Sequence, residues 1–380
     1  MNDYPNIHWS ENGEEKSARW RSESGTIPPK RVEMADDRMK ADDAYRLACE
    51  GTGLLWRGDF QNARQLLQAM ARRTDDKPRK KQKIATSPAE SFHLYRQAQS
   101  QRARTLGMLL IPFNADHSIP LRRAPDIAQA CKDVYGEVAE PYISTLRGLQ
   151  GLIGAYEWRK NGLEIPALGA RIFPHYGVFA PIRGEYIELV ANTPLPKSLT
   201  KKSHAFDIGT GTGVLAALLA RRGIKNIVAT DQDPRALNCA RENIALLKLE
   251  AQVEIVQADL FSEGRASLIV CNPPWIPARP SSALEYAIFD PDSRMLKGFL
   301  GGLAEHLEPN GEGWLIISDL AEHLGLRTRD DLMNTIETAG LKVMDKIDTK
   351  PHHPRVSDAS DPLHAARAAE TTSLWRLAIK

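Results

Sequence analysis

From Pro194 onward, short runs rich in valine, isoleucine and leucine alternate with helical segments, and nothing else in the chain restricts its fold so strongly. The runs are Ala205–Ile208, Ile227–Thr230, Val253–Val256, Leu268–Cys271 and Trp314–Ile317, with helical patterns such as Val214–Arg222 and Pro234–Leu247 between them. Strands covered on both faces read as unbroken apolar stretches, and parallel neighbours need crossover connections, so the pattern predicts a parallel sheet flanked by helices. The last part departs from it. Leu341–Ile347 and Thr372–Ala378 read as two strands joined by a polar segment without a clear helix, which predicts a final antiparallel pair.

The first half carries different signals. Residues 1 to about 40 mix charge with Gly, Pro and Ser without sustained periodicity and are expected to be disordered. Between Ala44 and Arg73 apolar residues recur at helical spacing (Leu47, Leu54, Leu55, then Phe60, Ala63, Leu66, Leu67, Met70), interrupted by Arg57-Gly58-Asp59, where Asp59 is suited to cap a second helix. Ser91–Met108 and Ile127–Lys160 also read as helices, with Pro112, Pro120 and Pro125 punctuating the loop between them. The expected organisation is a disordered start (1–40), an all-helical amino-terminal domain (41–165) with a basic linker near 72–90, and an α/β domain (166–380). At 380 residues the chain has room for these parts, since domains run to roughly 100 to 200 residues.

Hydrophobic residues at 42% and charged residues at 26% are ordinary for a globular protein. The longest apolar runs, such as Val214–Ala220, fall far short of the roughly 20 residues that cross a bilayer, so no membrane segment is expected. The first 20 residues are polar, without the apolar core of a secretory signal, which points to the cytoplasm. Four cysteines (Cys49, Cys131, Cys239, Cys271) show no Cys-x-x-Cys pair, so neither a metal site nor a disulfide framework is expected. The net charge of +2 conceals one uneven stretch: Arg72 to Arg104 holds ten Lys or Arg against three acids, including Lys77, Arg79, Lys80, Lys81 and Lys83. Such a run suits either a solvated linker or a phosphate backbone.

The first strand of the alternation ends in Asp207-Ile208-Gly209-Thr210-Gly211-Thr212-Gly213, and a helix follows at once. Glycines there permit a sharp turn and close approach to a ligand, beside the unpaired N–H groups of a helix start. The spacing is Gly-x-Gly-x-Gly. The dinucleotide fingerprint would place its last glycine where Val214 stands, which disfavours a nicotinamide dehydrogenase. The next strand ends at Asp231, 18 residues beyond Gly213, about where an acid meets the hydroxyls of a bound ribose. Asp233-Pro234 has the form of a helix cap followed by proline, a structural role. Asp259 follows the third strand, placed to accept from an adenine amino group.

In this order the residues resemble the motifs of class I S-adenosylmethionine-dependent methyltransferases, in particular the subgroup with a small methyltransferase domain, over about Ile172 to Lys380. The resemblance implies a Rossmann-like, seven-stranded, mostly parallel sheet with an antiparallel last strand and S-adenosylmethionine bound across its carboxyl ends. It places Asp207, Gly209, Gly211, Asp231 and Asp259 at cofactor positions, and Thr210, Gly213, Gln232, Leu260 and Asn272 complete the expected set. The lead-in Tyr176–Glu185 looks like the family segment that covers the cofactor, so Arg183 joins that set together with Glu185 as pocket-lining candidates, with an ordinary salt-bridged loop as the alternative reading of the pair.

The fourth strand runs directly into Asn272-Pro273-Pro274-Trp275. An amide or exocyclic amino nitrogen gives its lone pair to the adjoining carbonyl or ring and is a poor nucleophile. The Asn272 side-chain oxygen and the Pro273 carbonyl are each suited to accept one N–H and aim that lone pair at a methyl group. Pro274 helps keep the turn rigid, and Trp275 offers a flat face for stacking. In the family, Asn-Pro-Pro followed by Tyr or Phe marks nitrogen methyltransferases, among them enzymes of rRNA guanine or adenine amino groups and of release-factor glutamine, the latter often with a helical substrate domain. Tryptophan at the fourth place departs from the commoner residues. The favoured expectation is an RNA amino-group methyltransferase; a protein glutamine methyltransferase and a non-catalytic cofactor-binding or RNA-binding module are the alternatives. His352-His353 read as surface residues.

Overall fold

A computed structural model describes residues 4–76, 85–280, 283–352 and 358–380. The chain divides into two units, one made of the chain up to Glu157 without Ala85–Phe92, the other of Ala85–Phe92 with Trp158–Lys380.

The first unit is built on a sheet. Its strands are β1 (Asn6–Glu11), β2 (Glu14–Trp20), β3 (Arg31–Ala35), β4 (Thr52–Trp56), β5 (Leu109–Phe113) and β6 (Tyr142–Thr145), in the order β1-β2-β6-β5-β4-β3. The expected all-helical domain is thereby corrected, and so is the expected disorder of residues 1–40, which hold β1, β2 and β3. The causes are local. Ile7 and Trp9 alternate with exposed residues along β1, and Asn12-Gly13, both at positive φ (56° and 82°), make the tight turn into β2. Every residue of β4 is buried, so Leu54 and Leu55 show no period of two and were indistinguishable from helix positions. Pro112 lies inside β5, opposite Ile143 of β6, where proline had read as a loop marker. The helices Ala41–Cys49, Phe60–Asp76 and Leu146–Asn161 are present, and Asp59 does cap Phe60–Asp76, accepting from the Gln61 amide at 2.9 Å.

The second unit opens with a small hairpin, β7 (Leu163–Ile165) and β8 (Ala170–Ile172), ahead of the main sheet. That sheet holds β9 (His204–Ile208), β10 (Asn226–Asp231), β11 (Val253–Gln257), β12 (Ala266–Cys271), β13 (Leu307–Ser318), β14 (Leu341–Thr349) and β15 (Thr372–Ile379), ordered β11-β10-β9-β12-β13-β15-β14. β11, β10, β9, β12 and β13 run parallel, and β15 is antiparallel to both of its neighbours. This is the expected α/β architecture with its antiparallel last strand.

Alternation along each strand divides the core in two. Ala205, Leu268, Val270, Trp314 and Ile316 pack with the helix Val214–Arg221 on one face, and Phe206, Ile208, Ile269, Leu315 and Ile317 pack with the helix Arg294–His306 on the other. Burial on both faces explains why these strands are apolar throughout. Cys131, Cys239 and Cys271 are buried and Cys49 is exposed, all four as free thiols. Burial pushes the Cys131 and Cys239 thiols up to about 11 and about 12, so both stay protonated and unreactive at neutral pH. Among the described residues no helix is long and apolar enough to cross a membrane.

Candidate active site

The carboxyl ends of β9, β10 and β12 and the turn after β11 open on one cavity of about 220 Å³. Of the residues singled out above, Gly209, Thr210, Gly211, Asp231, Gln232, Asp259, Leu260, Asn272 and Pro274 line it. Asp207, Gly213, Pro273, Trp275 and Arg183 are not among its lining residues.

The glycine loop leaves β9 at Gly209 (φ 72°), and the amides of Gly209 and Thr210 both donate to the Thr230 carbonyl at 2.9 and 2.8 Å, fastening the loop to the end of β10. A Cβ on Gly209 would sit 2.5 Å from Met295 Cε, the flexible end of that side chain, so the left-handed backbone is the stronger reason for glycine here. Beside Gly211, by contrast, an added Cβ would meet nothing within 4 Å. That open side of the loop is the cradle of the cavity.

Asp207 serves the loop from beneath. Its Oδ2 accepts from Thr210 Oγ1 at 2.6 Å and from the Ala216 amide at 3.0 Å, with the residue 1% exposed. The cofactor contact expected of it is corrected to an anchoring role, because burial leaves no part of the carboxylate facing a ligand. The same burial pushes the Asp207 carboxyl up to about 6, against the lowering effect of its hydrogen bonds. A raised carboxyl contributes stability fully present below the unfolded value and lost as pH rises through about 6, here worth about 3 kcal/mol. Asp207→Asn removes the charge and keeps an acceptor oxygen. In denaturant titrations it is therefore expected to be more stable than the wild type at pH 8 and to lose most of that advantage at pH 4.5. An advantage of equal size at both pH values would contradict this account.

Asp231 stands at the mouth of the loop. Its Oδ2 accepts from the Gly211 amide and its Oδ1 from the Asp233 amide, each at 3.0 Å, and burial raises its carboxyl. Asp233 accepts from the Arg235 amide at 2.9 Å ahead of Pro234, the structural cap expected of it. Asp259 is exposed and paired with Arg294 at 2.5 Å. Leu260 adopts a left-handed backbone (φ 76°), and its carbonyl accepts from Thr230 Oγ1 at 2.5 Å, which turns the chain after β11 into the cavity wall.

At the end of β12, Trp275 Nε1 donates to Asn272 Oδ1 at 2.9 Å. Arg183 lies over the Trp275 ring, 5.5 Å from its centroid, and is paired with Glu185 at 2.9 Å and Glu370 at 3.2 Å. Arg183 and Glu185 thus form a salt-bridged loop, and the pocket contact expected of Arg183 is corrected. From the lead-in segment it is Gly177, Val178 and Phe179 that line the cavity. Sequence reasoning missed Tyr286, Arg294 and Met295, which also line it; Tyr286 is 66% exposed. Tyr286 lies in a segment without periodicity, and Arg294 and Met295 open the helix Arg294–His306, for which the sequence reading assigned no element. His352 is exposed, and His353 lies outside the described residues.

A carboxylate placed for a ribose diol, an open glycine loop and a carboxamide at one cavity fit a nucleoside-bearing cofactor with an acceptor beside it. Comparison with known proteins agrees. The family model for the methyltransferase small domain matches residues 175–339. Release factor glutamine methyltransferases are similar to this chain in Cereibacter sphaeroides (34% identical over 149 residues, 36% of this chain and 51% of that protein) and Deinococcus radiodurans (38% over 154 residues, 40% and 51%). The ribosomal protein L11 methyltransferase of Symbiobacterium thermophilum is 40% identical over 78 residues, 20% of this chain and 26% of that protein. The chain spans about half the length, or less, of these curated relatives. Over residues 175–339 the chain is thus similar to the methyltransferase small domain, the subgroup of class I methyltransferases that its motifs resemble.

Proposed function

We propose that this chain is an S-adenosylmethionine-dependent N-methyltransferase acting on an exocyclic amino group of a base in RNA. The observation that carries the reading is the convergence of Asp231, the open side of the Gly209–Gly211 turn and Asn272 on one cavity. S-adenosylmethionine supplies an activated methyl group on its sulfonium, so no strong general base is needed. Asp231 suits the ribose hydroxyls. Asn272 Oδ1 keeps one lone pair after accepting from Trp275, and that lone pair suits the N–H of an incoming amino group, holding the nitrogen in line with the methyl group. Tyr286, exposed at the same cavity, offers the ring face on which a base stacks.

RNA is favoured by the basic stretch from Arg72 to Arg104, of which Lys77, Arg79, Lys80, Lys81 and Lys83 lie outside the described residues. A second reading, methylation of a protein glutamine, draws on the release factor relatives. Both readings expected a helical amino-terminal region, and the six-stranded sheet found there departs from both alike.

The test is transfer of radioactive methyl from the donor into a lysate of a deletion strain, comparing wild type with Asn272→Ala. Label in RNA that disappears with Asn272→Ala supports the proposal, and neutralising Arg79, Lys80, Lys81 and Lys83 should then weaken RNA binding and flatten its salt dependence. Label in protein moves the assignment to glutamine, and label only in small molecules overturns both readings. No label from either protein supports the non-catalytic alternative. Tyr286→Ala is expected to raise the KM for the RNA acceptor about tenfold, with Tyr286→Phe near wild type. A shift in cofactor affinity alone would assign Tyr286 to the cofactor.

A further inference from the structure

The Asn272 carboxamide has a partner that the motif alone does not imply. Rotation about the last bond of an asparagine side chain is broad and roughly two-fold, so an unheld carboxamide presents its oxygen or its NH₂ to an acceptor with little preference. The hydrogen bond from Trp275 Nε1 to Asn272 Oδ1, at 2.9 Å, removes that freedom. It consumes one lone pair of the oxygen and leaves the other. A phenylalanine at 275 offers no donor, and a tyrosine has none at the position of the indole nitrogen.

The indole is held in turn. One face carries the Arg183 guanidinium, 5.5 Å from the ring centroid. Arg183 is divided between Glu185 and Glu370, whose side chains are 4% and 2% exposed, and Glu370 also accepts from the Ser318 hydroxyl at 2.7 Å. Two buried carboxylates sharing one guanidinium form an arrangement that is costly to disturb, because moving the arginine strands both charges. Ser318 ends β13 and Glu370 precedes β15, so the clamp is anchored on the sheet.

We infer that Trp275 is a positioning residue that turns the Asn272 oxygen toward the acceptor nitrogen, and that Arg183, Glu185 and Glu370 hold its ring for that purpose. This rests on the N-methyltransferase reading for its purpose and on the contacts alone for its geometry. It replaces the stacking role expected of Trp275, whose ring is covered on one face by Arg183 and does not line the cavity.

The experiment has two arms. In ¹⁵N-labelled full-length protein with S-adenosylmethionine added, the Trp275 indole N–H is identified as the resonance lost in Trp275→Phe. Its exchange with solvent deuterium is then followed in wild type and Asn272→Ala, with exchange about tenfold faster expected in the variant. In the second arm, Trp275→Phe is expected to lower kcat about tenfold or more on the labelled lysate fraction, with acceptor KM and cofactor affinity within about threefold of wild type. Unchanged indole exchange in Asn272→Ala overturns the inference. So does a Trp275→Phe enzyme with wild-type kcat and a raised KM, the signature of a stacking platform. If wild type labels no fraction, the methyl-transfer reading fails while indole exchange still decides the geometry. If Trp275→Phe does not fold, the indole resonance is assigned from its through-space contacts in the wild type, and Arg183→Lys, which keeps the charge and loses the planar group over the ring, replaces Trp275→Phe in the second arm.

Discussion

Asn272→Ala is expected to lower the rate of methyl transfer about 100- to 1000-fold while leaving the affinity for S-adenosylmethionine within about threefold. The asymmetry follows from where the side chain stands. Asn272 lines the cavity at the end of β12, across from the loop that Asp231 and Gly211 shape. Its carboxamide is a polar group at the end of β12 suited to orient a weakly nucleophilic nitrogen, and alignment matters most in the transition state. Cofactor binding has other supports. Single-turnover transfer and calorimetric titration of the cofactor separate the two effects. A rate within tenfold of wild type would remove Asn272 from the role proposed for it, and a lost cofactor affinity with an unchanged rate at saturation would make it a cofactor ligand instead. Asn272→Asp keeps an acceptor for both Trp275 and the substrate and should retain more activity than the alanine variant.

Asp231→Ala is expected to do the opposite, weakening cofactor binding about 10- to 100-fold, because a hydrogen bond to a charged group is worth about 1.5 to 3 kcal/mol. Two losses combine at this position. The ribose hydroxyls lose their acceptor, and the Gly211 amide, which donates to Asp231 Oδ2 at 3.0 Å, loses the contact that shapes the loop. Asp231→Asn separates them, since its amide oxygen still accepts from Gly211 while the charge is gone. An intermediate affinity for the asparagine variant fits this division. Equal binding by wild type and Asp231→Ala would show that the ribose lies elsewhere.

How far the molecule was legible in its sequence differs between the two units for a physical reason. Strands β9 and β12 are buried along almost their whole length and β10 over half of it, so each shows as an apolar run ending at Gly, Asn or Asp, and Asp231 and Asn272 could be placed at strand ends from the sequence. In the first unit the same burial misled. Thr52–Trp56 is buried at every position and sits between two helices, so Leu54 and Leu55 merged into the helical period. The Asn12-Gly13 hairpin signal was present, but the charged, alternating flanks Asn6–Glu11 and Glu14–Trp20 concealed a pair of strands whose buried residues include Ile7, Trp9 and Trp20. At the site, the anchoring of Asp207 and the contact of Trp275 with Asn272 depend on which way side chains turn, and no spacing encodes that. Tyr286 escaped notice because a segment without period gives an aromatic residue no address.

The placement of β15 between β13 and β14 has a consequence for the order in which the molecule can be assembled. β14 pairs with β15 alone, so residues 341–349 have no strand to join until residues 372–379 are laid in. Glu370, immediately before that last insertion, is one of the two carboxylates gripping Arg183. The grip on the indole therefore depends on the segment that leads into β15, although the Asn-Pro-Pro-Trp turn itself lies about 100 residues earlier in the chain.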